Sequence, residues 1–265
     1  MPIQKMARCA LSIAGSDSCG GAGIQADLKT FSAFGIHGAT VISSVTAQNT
    51  LGVFAAETVS TEVLTAQLRA VLEDLPVKAI KTGMLPEPDG IEEIAQCLRK
   101  HGAGIPLIVD PVLQASSGSA LGGDASMAAL TKHLFPLATL ITPNLLEASA
   151  LTGTTVRTRA DMKIAGKLLL EFGSMAVLMK GGHLGEKQVT DILLTHDGLQ
   201  EYSHKRFPET YHGTGCTLSA AIAANLARDR SLAESVELAV DYVQRCIASA
   251  IQPQKGNIKL LGFSL

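Results

Sequence analysis

The chain has 265 residues, of which 46% are hydrophobic and 17% charged, enough apolar material for one large α/β domain or two small ones. A formal net charge of -2 supplies no basic field for a nucleic-acid backbone, and 4% aromatic residues with no Trp argue against stacking on single strands. An anionic partner must be gripped locally, by backbone amides and a few cations, which points to a small molecule and away from nucleic acid.

Residues 7–14 form a short apolar run that predicts a buried strand ending in Gly15-Ser16-Asp17. After a glycine-rich turn, 24–34 carries Ile24, Leu28, Phe31 and Phe34 at helical spacing. The β-branched run 40–45 and the stretch 53–59 read as extended, and 61–75 as an amphipathic helix with Val63, Leu64, Leu68, Val71 and Leu72 facing inward. A short strand at 79–82 is broken by Gly83. Strands at 107–109, 140–142 and 176–179 then alternate with helices at 91–98, 127–134, 145–151 and 161–172. That order predicts an α/β fold in three layers, with a mostly parallel central sheet covered by helices on both faces. His196-Asp197-Gly198, between extended runs at 189–195 and 199–204, predicts a late antiparallel hairpin. Helices at 217–227 and 232–251 complete the pattern, and with no repeat, low-complexity tract or linker one domain is expected over 1–265.

Cys9, Cys19, Cys97, Cys216 and Cys246 make an odd set without a C-x-x-C pair, which suits a reducing compartment. The first apolar run is too short for a secretory core, and no stretch approaches the ~20 apolar residues that span a bilayer. A soluble cytoplasmic protein without a membrane partner is the expectation.

Gly21-x-Gly23-x-x-Ala26 loosely matches a dinucleotide fingerprint, but residues 41–46 hold no carboxylate for a ribose. The loop suits close helix–sheet packing, or a substrate loop in which Asp27 meets a flat ligand. No Walker A run or G-x-S-x-G elbow occurs. Gly213-Thr214-Gly215-Cys216, just ahead of a helix of small apolar residues, offers another phosphate device. Free amides at a helix N-terminus form an anion site, against the plainer alternative of a glycine turn capped by Thr214. Asp110, Asn144 with Glu147, and Lys180 each follow a predicted strand, where open α/β sheets bind ligands. Two carboxylates and an amide suit hydrated Mg²⁺, and a lysine can neutralise phosphate oxygens. His183, His196, His204 and His212 lack metal-ligand spacing and no thiolate accompanies them, which rejects a zinc site.

These segments together resemble a known family. Ala14-Gly15-Ser16-Asp17 with residues 20–30, Val45-Thr46-Ala47-Gln48-Asn49-Thr50, Lys81-Thr82-Gly83-Met84-Leu85, Val109-Asp110-Pro111, Thr142-Pro143-Asn144-Leu145-x-Glu147, Lys180-Gly181-Gly182-His183 and His212-Gly213-Thr214-Gly215-Cys216-Thr217 are similar to hydroxymethylpyrimidine/phosphomethylpyrimidine kinases of the ribokinase-like superfamily. The similarity runs over about residues 10–250. It implies ATP-dependent phosphorylation of 4-amino-5-hydroxymethyl-2-methylpyrimidine and then of its monophosphate, in thiamine biosynthesis, by a homodimer. It implies further that Gln48 pairs with the aminopyrimidine edge and that Gly15, Asp27 and Met84 line the pocket. Asp110 and Glu147 would organise Mg²⁺, while Lys180 and Asn144 with Glu147 would meet ATP. Gly213, Thr214, Gly215 and Cys216 would form the transfer loop, with Cys216 where many relatives carry an aspartate base. The Cys216 thiol is ambiguous, since a helix N-terminus lowers its pKa and bound phosphates raise it again. The chain departs from the family pattern at Cys19, usually Ser, at 112–118, which lacks the common Met and Lys, and at its 255–265 tail. A pyridoxal kinase of the same superfamily and a non-catalytic pyrimidine sensor are the alternatives.

Overall fold

The computed structural model describes residues 8–113 and 123–263, so most of the atypical 112–118 segment lies outside the described residues. In chain order the elements are β1 (Cys9–Asp17), α1 (Gly23–Ala33), β2 (His37–Asn49), β3 (Gly52–Thr58), α2 (Thr61–Asp74), β4 (Val77–Thr82) and α3 (Pro88–His101). They continue through β5 (Leu107–Val109), α4 (Asp124–Ala129), β6 (Leu140–Ile141), α5 (Leu145–Thr152), α6 (Arg159–Leu170) and β7 (Ala176–Met179). The last are β8 (Gln188–Thr195), β9 (Gly198–Lys205), β10 (Tyr211–His212), α7 (Thr214–Leu226), α8 (Leu232–Ala248) and β11 (Lys259–Leu260).

Nine strands form one sheet in the order β3-β2-β1-β4-β5-β6-β7-β8-β9. From β2 to β7 all neighbours are parallel, and β7-β8-β9 form the expected late antiparallel pairs. Strand alternation divides the core. Leu11, Ile13, Ile80, Val109, Ile141 and Val177 face α2, α3, α5 and α6, whereas Ala10, Ala79, Ile108, Leu140 and Leu178 face α1, α7 and α8. Helix α7 is buried almost all round, and its run of alanines lets it lie close to the sheet.

Three features depart from the sequence expectations. The sheet is antiparallel at both edges, because β3 folds back on β2 through a turn in which Asn49 Oδ1 accepts from Leu51 N at 2.8 Å. The helix expected at 127–134 is a short α4 that widens into a π-helical turn at Leu130–Leu134. Strands β10 and β11 pair in parallel, Tyr211 with Lys259 and His212 with Leu260, a contact no local pattern announced. No helix among the described residues is long and apolar enough to cross a membrane.

Asp27 on α1 and Lys81 on β4 are joined inside the core. Lys81 Nζ donates to both carboxylate oxygens at 3.0 and 2.8 Å, Ser12 Oγ donates to Oδ2 at 2.5 Å, and both charged side chains have no exposed surface. A buried charge stripped of its partner costs about 3–5 kcal/mol, whereas replacing both partners by apolar groups is often near neutral. Lys81→Met is therefore expected to lower urea-unfolding stability by about 3–5 kcal/mol, and Asp27→Leu/Lys81→Met to recover most of that loss.

Candidate active site

Each strand delivers its polar residue to one end of the sheet. Asp17 ends β1, Gln48 lies near the end of β2, Asp110 directly follows β5, Asn144 follows β6 and Lys180 follows β7. The peptide after β7 is held by a bridge between Asn144 and Lys180, whose N–H donates to the Pro143 carbonyl at 2.9 Å. A cleft of about 790 Å³ opens over these strand ends, and Gly15, Gln48, Met84, Asp110, Asn144, Glu147, Lys180 and Gly213 to Cys216 all line it.

Helix α7 starts at Thr214, three residues earlier than the sequence pattern suggests, and its cap is Gly213 at φ +82°, not Thr214. A side chain is excluded there: a Cβ on Gly213 would lie 1.8 Å from the Gly21 carbonyl oxygen. The two glycine loops therefore meet backbone to backbone. The first turn of α7 also sits over the charged residues, since a Cβ on Gly215 would lie 3.2 Å from Lys180 Nζ and 3.7 Å from Asp110 Oδ2. The free amides of this helix end thus open beside an ammonium group, which suits an anion.

Lys180 stands between two carboxylates, 2.9 Å from Asp110 Oδ1 and 3.8 Å from Glu147 Oε2. Burial works against its charge, but Asp110 and Glu147 outweigh it and raise its pKa. Burial pushes Asp110 up, yet Lys180, Lys81 and the Thr142 hydroxyl at 3.0 Å hold it below the usual carboxylate range. Glu147 goes the other way: burial, only partly offset by Lys180 and reinforced by Asp110, pushes it up to about 7. Glu147 also completes a capping box, its Oε2 accepting from Asn144 N at 2.7 Å while Asn144 Oδ1 accepts from Leu146 N and Glu147 N at 2.8 and 2.9 Å.

At the other end of the cleft Asp17 organises the first glycine loop. Its Oδ2 accepts from Gly21 N, Ala22 N and Cys19 Sγ at 3.0, 2.8 and 3.4 Å, and Oδ1 accepts from Cys19 N at 3.0 Å. Burial pushes Asp17 up, but a hydrogen bond from His212 Nε2 at 2.9 Å and the backbone amides hold it below the ordinary range. Gln48 Nε2 lies 3.3 Å from the same His212 nitrogen. One ring nitrogen cannot donate to Asp17 and accept from Gln48 at once, and the charge-assisted bond to the carboxylate is the stronger. That leaves the Gln48 amide nitrogen available to a ligand, while Oε1, which accepts from the Thr46 hydroxyl at 3.2 Å, keeps its second lone pair.

One expectation for a site residue needs correction, and Cys216 is no longer ambiguous. Asp27 is sealed beneath the cleft by Lys81 and Ser12, has no exposed surface and cannot meet a ligand. The thiol of Cys216 is not lowered by its helix N-terminus. Burial pushes it up to about 11, with Asp27 and Asp110 adding to the rise and Lys81 and the Gly23 amide opposing it. At neutral pH it is a thiol, so the surrounding amides and Lys180 carry the anion site.

Several features of the site escaped the sequence reading. Asp17 stands in a segment that carries the family resemblance, but nothing local shows that it ties the first glycine loop together and meets His212. The far wall of the cleft combines Val240, Val243 and Ile247 of α8 with a polar chain. In that chain Gln244 meets His204 Nδ1 at 2.9 Å, His204 Nε2 meets Asp191 Oδ2 at 3.1 Å, and Asp191 Oδ1 accepts from Gly181 N at 2.8 Å. The apolar stripe of α8 was legible in sequence, but not that part of it faces a cavity.

A three-layer sheet with an amide anion loop beside a lysine and two carboxylates defines a phosphotransferase site that lacks a Walker loop. The family model for phosphomethylpyrimidine kinase matches residues 17–260. A hydroxymethylpyrimidine/phosphomethylpyrimidine kinase of Rhizobium meliloti (strain 1021) is 49% identical over 254 residues, covering 95% of each chain. Among solved structures, the phosphomethylpyrimidine kinase of Clostridium difficile 630 superposes with a TM-score of 0.81 at 44% identity, covering 90% of this chain and 99% of that one. A Bacillus subtilis pyridoxal kinase in complex with ADP gives 0.87 at 33% identity, covering 96% and 97%. The chain belongs to the phosphomethylpyrimidine kinase family and is a phosphotransferase.

Placing a methyl group at residue 213 conflicts with both the left-handed backbone and the Gly21 carbonyl. Gly213→Ala is expected to cost more than the about 1–2 kcal/mol of the left-handed conformation alone, lowering the thermal midpoint and abolishing transfer. An unchanged midpoint would show that the loops need not touch.

Proposed function

We propose that the chain phosphorylates the hydroxymethyl group of 4-amino-5-hydroxymethyl-2-methylpyrimidine with ATP, and then phosphorylates that monophosphate to the pyrophosphate. The observation that carries this reading is the placing of Gln48 and of the Gly213–Cys216 amides on one continuous cleft, with Lys180 beyond them. A primary amide presents a donor and an acceptor side by side, which complements an amine next to a ring nitrogen. Gly15 and Met84 provide the surface for the flat ring, and a side chain on Gly15 would collide with Met84 Cε at 2.4 Å.

Phosphoryl transfer depends on positioning and neutralised charge more than on covalent help from the protein. In this reading the amides of Gly213, Thr214, Gly215 and Cys216 meet the transferring group, and Lys180 turns its ammonium from Asp110 and Glu147 towards phosphate oxygens. Asn144 borders the nucleotide side and shapes the backbone that carries Lys180. The second transfer uses an acceptor oxygen that is already anionic, so it needs no base. For the first, the neutral Cys216 thiol is no proton acceptor; the hydroxyl proton leaves late, passing to an oxygen of the transferred phosphoryl group as its bond to ADP breaks.

The donor set of Asp110 and Glu147 fits Mg²⁺, because both are buried carboxylates that already share one cation, the Lys180 ammonium. Magnesium bound there would neutralise phosphate charge and orient ATP. Glu147 is protonated below about 7 and must ionise to hold a cation. Affinity for Mg²⁺ in the presence of a non-hydrolysable nucleotide is expected to rise as pH increases from 6 to 8, and Glu147→Gln to flatten that rise in calorimetry.

The pyridoxal reading retains the support of the pyridoxal kinase likeness, and side-by-side turnover separates the two acceptors. The function itself is tested by mass analysis of products from ATP, Mg²⁺ and hydroxymethylpyrimidine. Mono- and pyrophosphate are expected, while ATP consumption with pyridoxal alone would replace this reading and none with either alcohol would reject catalysis.

We also propose a homodimer formed through the β2–β3 hairpin, an edge on which Leu51 and Phe54 are 58% and 68% exposed, with Val45 at 50%. Light scattering should give twice the chain mass, falling to the single-chain mass in Phe54→Glu; a monomeric parent chain would reject it. For Gln48→Ala, the pyrimidine KM should rise at least about tenfold, the loss of about 1.4 kcal/mol of binding, with KM for ATP unchanged.

A further inference from the structure

His212 was set aside as a metal ligand because the histidines show no metal-ligand spacing. The fold supplies two partners from the other end of the chain. Asp17, Cys19 and His212 each offer a donor atom, and these atoms lie within 4.8 Å of one another; among the described residues no other group of three His, Cys, Asp or Glu does so. His212 Nε2 is 2.9 Å and Cys19 Sγ 3.4 Å from Asp17 Oδ2. Metal–ligand bonds of about 2.0 to 2.3 Å in a tetrahedral zinc site place its donors about 3.3 to 3.7 Å apart. The Asp17–Cys19 separation falls in that range and the Asp17–His212 separation just short of it, so a small opening of the His212–Asp17 contact, with Cys19 drawn towards His212, makes room for an ion.

The surroundings hold these ligands as metal sites do. Gly21 N and Ala22 N donate to the Asp17 carboxylate, and the ladder between β10 and β11 fixes the backbone of His212. A fourth position faces the cleft, where the Gln48 amide is 3.3 Å from the imidazole. We infer that Asp17, Cys19 and His212 form a binding site for a thiophilic divalent cation of the zinc type, and that occupancy of this site inhibits the enzyme. The thiolate and imidazole select such an ion over Mg²⁺, which prefers the oxygen donors of Asp110 and Glu147. Binding releases the Cys19 proton to solvent and draws His212 and Gln48 onto the ion. Inhibition is therefore competitive with the acceptor alcohol and not with ATP. That kinetic part rests on the proposed acceptor site; the binding part does not.

The test is a Co²⁺ titration of the full chain without nucleotide, read by visible absorption. The parent chain and a Cys216→Ala control should both develop the ligand-field bands of tetrahedral Co²⁺ and a thiolate charge-transfer band, saturating at one ion per chain and erased by Zn²⁺. Both Cys19→Ser and Cys19→Ala, checked for folding by circular dichroism, should lose the thiolate band and bind Zn²⁺ at least about tenfold more weakly. Absence of the band in the parent chain, or its survival in both Cys19 variants, overturns the site. Zinc inhibition that is competitive with the alcohol and relieved in Cys19→Ser supports the inhibitory role. Inhibition competitive with ATP, or none at saturating Zn²⁺, overturns that role. A chain that gives the Co²⁺ spectrum but no pyrimidine product refutes the substrate reading alone.

Discussion

The contact on which the site depends is the approach of two backbones, Gly213 against the carbonyl of Gly21. No other residue fits position 213, where both the backbone angle and the neighbouring oxygen forbid a side chain. Because that contact closes, α7 begins early enough for its first amides to stand over Lys180 and Asp110. Because the Gly21 loop is itself tied to Asp17, the same contact brings His212 beside Gln48. The Lys180 end and the Gln48 end of the cleft are thus two sides of one packed junction.

A chain with a formal charge of -2 can hold polyanions here only because its cations are concentrated and paid for locally. Lys81 is wholly buried and Lys180 lines the cleft, and each is matched to a carboxylate. The Lys81–Asp27 pair is closed off and serves the core, while the Lys180 cluster opens to the cleft and is free to exchange partners. Glu147 links that exchange to structure, since the carboxylate that would share a cation also caps α5.

Much of the architecture was legible because most strands and helices carry strong periodicity: 107–109 and 176–179 are strands over those same residues. The direction of β3 was not, since an extended run carries no sign of its neighbour, although Asn49 ahead of Gly52 held a turn signal. The early start of α7 was hidden by glycines of poor helix propensity, overridden here by packing. Lys180, Asp110, Asn144, Glu147, Gln48, Gly15 and Met84 do converge on one cleft, as strand-end placement and family resemblance suggested. Asp27 does not, and its position offered a clue. It falls three residues after Ile24 and four before Phe31, on the apolar stripe of α1, where a carboxylate needs a buried partner. The junction of Asp17, Cys19 and His212 left no such trace, because it depends on pairing across almost the whole chain.

The ladder between β10 and β11 has a consequence for biosynthesis. His212 takes its place beside Leu260, and Leu260 also packs where a side chain on Gly21 would otherwise go. Translation must pass residue 260 before this ladder can form, so a product terminated ahead of β11 would lack the strand that pairs with His212 and packs on Gly21.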